Sequence, residues 1–275
     1  MHKALALAVL VPTLAAGYFL IPKDGPQRFL LTGSSTLAPV LQQVAEDLHA
    51  LDGTLEIDVE TGGSSRGIQD ARLGLCDVGM ASRDLKEEEA RGLNPRLVAL
   101  DGVALIVNAS NPVAALERQQ VLDLYTGKID DWRELGGPDG EIHVVSKAEG
   151  RATLTVFLEH FGLKNSQIVA DAVIGDNAQG VRIVAGNPLS IAYVSIGEAL
   201  AAVERGEDIH LVALDGVLPT RESVANGAYP LRRNLYLLFP GAPDEIGERI
   251  LAHLASERGH AILGELGFTP VDLVQ

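Results

Sequence analysis

"RFLLTGSSTLAPVLQQVAEDLHAL", residues 28–51, reads as a single strand–loop–helix unit. Phe29, Leu30 and Leu31 make a short apolar strand that breaks at the turn residues "GSST" (33–36). After the turn, Leu37, Val40, Leu41, Val44 and Leu48 fall at i, i+3, i+4, i+7 and i+11, one apolar stripe along a helix. The unit then recurs. "TLEIDVET" (54–61) alternates as a strand does and passes through "GGSSRG" into a helix "IQDARLG". "CDVGMA" (76–81) ends at Ser82-Arg83 and leads into a charged helical run, "DLKEEEARGL". Three such units in succession predict an α/β domain with a largely parallel sheet.

The loops that follow the strands of such a sheet are where it holds ligands. All three carry hydroxyls beside a helix start: Ser34, Ser35 and Thr36; Ser64 and Ser65; Ser82. Serine and threonine cap helices, and one loop of this kind needs no further reading. Three converging on one sheet edge, two with doubled serines, fit a cradle of N–H and O–H donors for an anion. A rival reading attaches to Gly63–Gly67, which matches G-x-S-x-G and would make Ser65 the nucleophile of a hydrolase. That chemistry needs a later acid and histidine. Among His143, His160, His210, His253 and His260, none stands in the Gly-flanked loop expected of a triad histidine. The clamp reading is therefore preferred, with no catalytic residues.

Further along, "DGVALIVN" (101–108), "IHVVSK" (142–147), residues 190–196, "IHLVAL" (209–214) and "YPLRRNLYLLF" (229–239) read as strands. In "EGRATLTVFLEHFGL" (149–163), Leu154, Phe157, Leu158 and Phe161 share one helical face. If the chain forms two lobes, Val103–Asn108 and Leu231–Phe239 are the expected crossings.

Composition narrows the function further. The 275 residues carry a formal net charge of −15, which argues against nucleic-acid partners. Only 4% are aromatic, too few for base- or sugar-stacking platforms. Cys76 is the single cysteine and sits among apolar neighbours, so it is a buried structural thiol and no Cys-rich metal site exists. The acidic runs "KEEEARG", "GDNAQG" and "DGEIH" lack metal-ligand spacing, so neither metal nor cofactor is expected. At the N-terminus His2 and Lys3 precede the apolar "ALALAVLVPTLAAGYFLI" (4–21), then "PKDGPQ" turns polar. This is a signal peptide, with a small-residue cleavage site at Ala15-Ala16-Gly17, or an uncleaved anchor. Either implies export.

Seven segments occur in the order found in phosphate-binding proteins of ABC uptake systems. They are "LTGSSTLAPVLQQVAEDL", "ETGGSSRGIQDARLG", "CDVGMASRDLKEEE", "VALIVNASNPV", "VLDLYTGKIDDWRELGG", "AEGRATLTVFLEHF" and "IAYVSIG". The chain resembles that family over roughly residues 28–275. The resemblance implies a two-lobe periplasmic-binding-protein fold (type II), with mixed sheets flanked by helices and a ligand cleft between the lobes. It divides the chain into a leader, 1–27; a first lobe, 28–108 plus 229–275; and a second lobe, 109–228. It implies a monomeric extracytoplasmic protein, periplasmic where there is a periplasm, that presents inorganic phosphate to the membrane permease of an ABC transporter. A tethered oxyanion sensor and a binder of sulfate or molybdate are the alternatives.

Carried over by position, the resemblance puts Ser35, Thr36 and Leu37 in a first ligand loop, Ser64 and Ser65 in a second, and Ser82 and Arg83 in a third. Gly150, Arg151, Ala152 and Thr153 match a second-lobe loop that usually reads Gly-Ser-Gly-Thr, and Lys147 stands where arginine is common. The departure with most chemical content is Arg83. Well-studied relatives have an aspartate there, which accepts the phosphate proton and so rejects sulfate, while many other relatives have arginine as here, so the resemblance still implies phosphate.

Overall fold

The computed structural model describes residues 26–273. The expected leader, 1–27, lies outside the described residues up to residue 25. Among the described residues no helix is long and apolar enough to cross a membrane.

The first lobe opens with β1 (Gln27–Gly33), α1 (Ala38–Leu51), β2 (Leu55–Thr61), α2 (Ser64–Leu73), β3 (Val78–Ala81) and the single turn α3 (Glu87–Ala90). The three units read from the sequence are present, and β1 lies parallel to both β2 and β3. Pro39 stands in the first turn of α1, where a missing N–H breaks no helical bond, and Val40, Leu41, Val44 and Leu48 form its buried face. The charged run expected to be a full helix stops at α3: Arg91 is extended, Gly92 turns at φ 79°, and the chain enters a strand. That strand is β4 (Asn94–Asn108), twice as long as its apolar core suggested.

The second lobe follows with β5 (Ala115–Leu116), α4 (Arg118–Tyr125), β6 (His143–Lys147), α5 (Ala152–Phe161), β7 (Ala172–Ile174), α6 (Asn177–Gly186), β8 (Ser190–Ser195), α7 (Ile196–Glu204), β9 (Ile209–Leu214) and α8 (Arg221–Ala225). The chain then returns through β10 (Arg232–Phe239), α9 (Glu245–Ala255), α10 (Glu257–Glu265) and β11 (Thr269–Pro270).

One curled mixed sheet runs through both lobes in the order β2-β1-β3-β10-β4-β8-β6-β7. β4 is shared. Its residues up to Gly102 pair antiparallel with β10, and from Val103 onward its partners are β8 and β9. The apolar packing divides at the same place. Leu31, Val40, Leu41, Val44, Leu235 and Leu237 belong to one core; Val103–Val107, Phe157, Tyr193 and Leu231 belong to the other. Among the described residues β10 pairs only with β3 and β4, so the return crossing falls just ahead of it, where the Val103 N–H donates to the Leu231 carbonyl (2.9 Å). The two crossings therefore sit side by side.

Candidate anion-binding site

The loops after β1, β2 and β3 are drawn together by close backbone packing. A Cβ on Gly33 would lie 2.8 Å from the Gly67 Cα, so α2 reaches the end of β1 only because both positions are glycine. Gly63 opens α2 at φ 93°, a conformation that L side chains resist, and a Cβ there would lie 3.0 Å from the Gly150 carbonyl carbon of the other lobe. The lobes meet at this point, and the Ser65 N–H donates to the Gly150 carbonyl (3.3 Å).

Between them lies a small cavity, walled from the first lobe by Ser34, Ser35, Thr36, Gly63, Ser64 and Ser82, and from the second by Lys147, Arg151, Ala152, Thr153, Gly175 and Asn177. Of the residues expected from the sequence, Ser35, Thr36, Ser64, Ser82, Lys147, Arg151, Ala152 and Thr153 are brought together here. Four are not. Leu37 is buried in the first-lobe core and offers only its N–H, which donates to Ser34 Oγ (3.3 Å). Ser65 is exposed and faces a separate surface groove with Gln69, Arg72 and Glu89. On a helix successive side chains diverge by a quarter turn or more, so Ser64 and Ser65 cannot both face inward. Gly150 contributes the carbonyl already described. Arg83 turns away and makes a two-pronged pair with Glu89 (Nη1–Oε2 2.7 Å, Nη2–Oε1 2.8 Å), holding that carboxyl below its usual range.

The hydroxyls form ordered chains. Ser34 Oγ accepts from the Thr36 N–H (3.2 Å) and the Leu37 N–H, then donates to Ser82 Oγ (3.0 Å). Ser64 Oγ accepts from the Ser82 N–H (2.9 Å). Behind them lies an ion pair that sequence reasoning missed. Arg233 on β10 and Asp101 on β4 have side chains 1% and 0% exposed, which puts this pair beyond the reach of screening water. The Arg233 Nε and Nη2 donate to Asp101 Oδ2 (3.0 and 2.7 Å). The same guanidinium donates to Thr36 Oγ1 (3.1 Å) in the first lobe and Thr153 Oγ1 (3.2 Å) in the second. Asp101 also accepts from Ser195 Oγ (2.8 Å) and the Gly197 N–H (3.3 Å). A buried charge persists when it is paired and its remaining lone pairs are filled, and this one is.

Lys147 ends β6 inside the second lobe, its N–H donating to the Tyr193 hydroxyl (3.1 Å). Its ammonium donates to the Asp176 carbonyl (2.7 Å) and to Asn177 Oδ1 (3.1 Å). Burial pulls its pKa down to about 7; Arg233 and Arg151 pull the same way, Asp176 and Glu198 against them. Asn177, within "GDNAQG", is a further wall residue with no local sequence signal of its role. It opens α6, and its Nδ2 donates across the cleft to Thr36 Oγ1 (3.4 Å).

Such a cavity is walled by donors from two lobes, with no ligand-sized apolar surface. The family profile for the PBP superfamily domain matches residues 22–257. The chain is a PBP-superfamily protein. It is similar to a phosphate-binding protein PstS of Bacillus subtilis, 27% identical over 246 residues, 88% of this chain and 80% of the relative. Among solved structures it resembles one described as a phosphate ABC transporter substrate-binding protein with bound phosphate from Clostridium perfringens. That match has TM-score 0.82 and 33% identity, covering 89% of this chain and all (100%) of the other. An ABC-type phosphate transport receptor from Vibrio cholerae matches with TM-score 0.71 and 28% identity, covering 88% of this chain and 100% of the other. The resemblance read from the motifs and the two-lobe α/β fold it implied are both borne out. The PBP-superfamily chain thus places its hydroxyl loops on a scaffold shared with these proteins.

Proposed function

We propose that this protein is an extracytoplasmic solute-binding protein that captures inorganic phosphate between its lobes and presents it to the permease of an ABC transporter. The supporting observation is the cavity itself: Thr36 and Thr153, one from each lobe, are held by a single buried guanidinium beside Lys147. Hydrogen bonds to a charged group contribute about 1.5–3 kcal/mol each, so a handful of surplus ones reaches micromolar to nanomolar affinity. Closure brings the second-lobe donors onto the anion and excludes water, and the neighbouring crossings at Gly102–Val103 and Leu231–Arg232 are where we place the hinge. On that division the lobes are 28–102 with 232–275 and 103–231, a few residues inside the boundaries expected from sequence. The role needs no reaction: Ser65, the only elbow-like serine, stands outside the cavity. Residues 1–27 serve export in this reading. Titration calorimetry of the purified protein with sodium phosphate tests it. Saturable binding at one site per chain, weakened at least tenfold by Thr153→Ala, is expected; no heat of binding at millimolar phosphate refutes it.

A further inference from the structure

We propose that the cavity is a donor-only site that holds sulfate as well as phosphate, because no group in its wall is obliged to accept a proton from the ligand. This rests on the oxyanion reading above and deepens it.

Thr36 Oγ1 receives hydrogen bonds from Arg233 Nη2 and Asn177 Nδ2, which fill both its lone pairs. Arginine can only donate, and the Asn177 amide is oriented because its Oδ1 already accepts from Lys147 Nζ and the Ser195 N–H (3.3 Å). The one hydrogen-bonding direction left to Thr36 is its own O–H, into the cavity. Thr153 Oγ1 likewise accepts from Arg233 Nη1 on its far side. In the first lobe the order runs from the Thr36 and Leu37 N–H groups through Ser34 to Ser82. Ser82 and Ser64 approach at 3.4 Å, so one can donate to the other. Whichever does, the remaining hydroxyl proton points at the ligand. In the ammonium form that an anion selects, Lys147 spends two N–H bonds on Asp176 and Asn177 and keeps its third for the ligand.

Carboxylates are absent from this wall among the described residues. Three aspartates on the neighbouring elements are engaged elsewhere. Asp101 takes four donors from Arg233, Ser195 and Gly197. Asp84 accepts from Asn234 Nδ2 (2.8 Å) and the Tyr236 hydroxyl (2.9 Å). The Asp176 carboxylate caps α6 through the Gln179 N–H (2.8 Å). Ser35 is the one wall hydroxyl not fixed by a hydrogen bond, and it rotates to offer its proton or its lone pair as the ligand requires.

Sulfate and hydrogen phosphate share charge and shape and differ by one proton. A site with a buried carboxylate facing the ligand rejects sulfate by leaving two negative oxygens in contact, and an unpaired buried polar group of this kind discriminates by about 10⁴–10⁵. A rotating neutral hydroxyl imposes no such penalty.

The test is calorimetry at pH 7.5 with sodium phosphate and sodium sulfate on the same protein, followed by displacement of sulfate with phosphate. We expect both anions to bind competitively, with Kd values within about 1,000-fold of each other, the divide set below the carboxylate range. A larger preference for phosphate, or sulfate binding that phosphate does not displace, overturns the donor-only site while leaving phosphate capture intact. Failure of both anions to bind overturns the oxyanion reading and this inference with it.

Discussion

Replacing Lys147 with methionine separates what the buried amine does for the fold from what it does for the ligand. Methionine keeps an unbranched apolar stem of similar length and removes the charge. In the free protein the Lys147 pKa lies at about 7, against an ordinary 10.5, chiefly because burial penalises the ammonium. At 1.36 kcal/mol per pH unit, that difference corresponds to on the order of 5 kcal/mol of disfavoured charge when the group is fully protonated. The sign follows from proton counting. Between about pH 7 and 10.5 the unfolded chain holds a proton on this lysine that the native chain does not, so stability rises with pH across that window. Urea unfolding at pH 7.5 and 9.5 should show wild type gaining about 2–2.7 kcal/mol relative to Lys147→Met over that interval. Using the variant as reference cancels the other titrating groups and the two acceptors, Asp176 O and Asn177 Oδ1, that the substitution strands. Anion binding should move the other way. The ligand selects the ammonium, so above about pH 8 wild-type affinity falls by up to tenfold per pH unit with proton uptake. Lys147→Met, lacking the charge-assisted bond of about 1.5–3 kcal/mol, binds roughly 10- to 100-fold more weakly at pH 7 and loses this slope. Parallel stability profiles for the two proteins, or equal affinities at pH 7, would refute the assignment of a perturbed, ligand-facing amine.

Further expectations follow from the same geometry. Ser65→Ala should leave phosphate affinity unchanged within twofold by calorimetry, whereas Ser82→Ala, which cuts the hydroxyl chain, should weaken it about tenfold. Asp101→Asn leaves the Arg233 guanidinium buried and uncompensated, and chemical denaturation should show a loss of about 3–5 kcal/mol; a loss under 1 kcal/mol would contradict the pair's role. Gly63→Ala places a methyl against the Gly150 backbone where the lobes meet, so it should lower phosphate affinity at least tenfold through impaired closure.

The strand–loop–helix units and the hydroxyl loops were legible because they are local. Period-two and period-3.6 patterns report burial on one face of one element, and Gly-Ser-Ser-Thr announces a turn followed by a helix start. Arg233 and Asp101 left no such trace. "YPLRRNLYLLF" contains two adjacent arginines, and only the register of β10 against β4 decides that Arg233 points inward while Arg232 is exposed. Asn177 was equally silent, its partners Lys147, Ser195 and Thr36 lying 30, 18 and 141 residues away. The serine pair after Gly63 was legible as a pair but not as a choice between its members. The helix α2 made that choice by turning Ser64 to the cavity and Ser65 to water.

By itself, then, the sequence determined the α/β class, the family, and which three loops of the first lobe carry hydroxyls to the cavity. Each of these is written in short-range patterns that any neighbouring segment can satisfy. Tertiary structure alone decided which hydroxyls face inward, that a buried arginine joins Thr36 to Thr153, and that no carboxylate among the described residues stands in the wall. Those properties depend on the direction of individual protons and side chains. Directions are set only when strands from distant parts of the chain pair in register and two lobes meet.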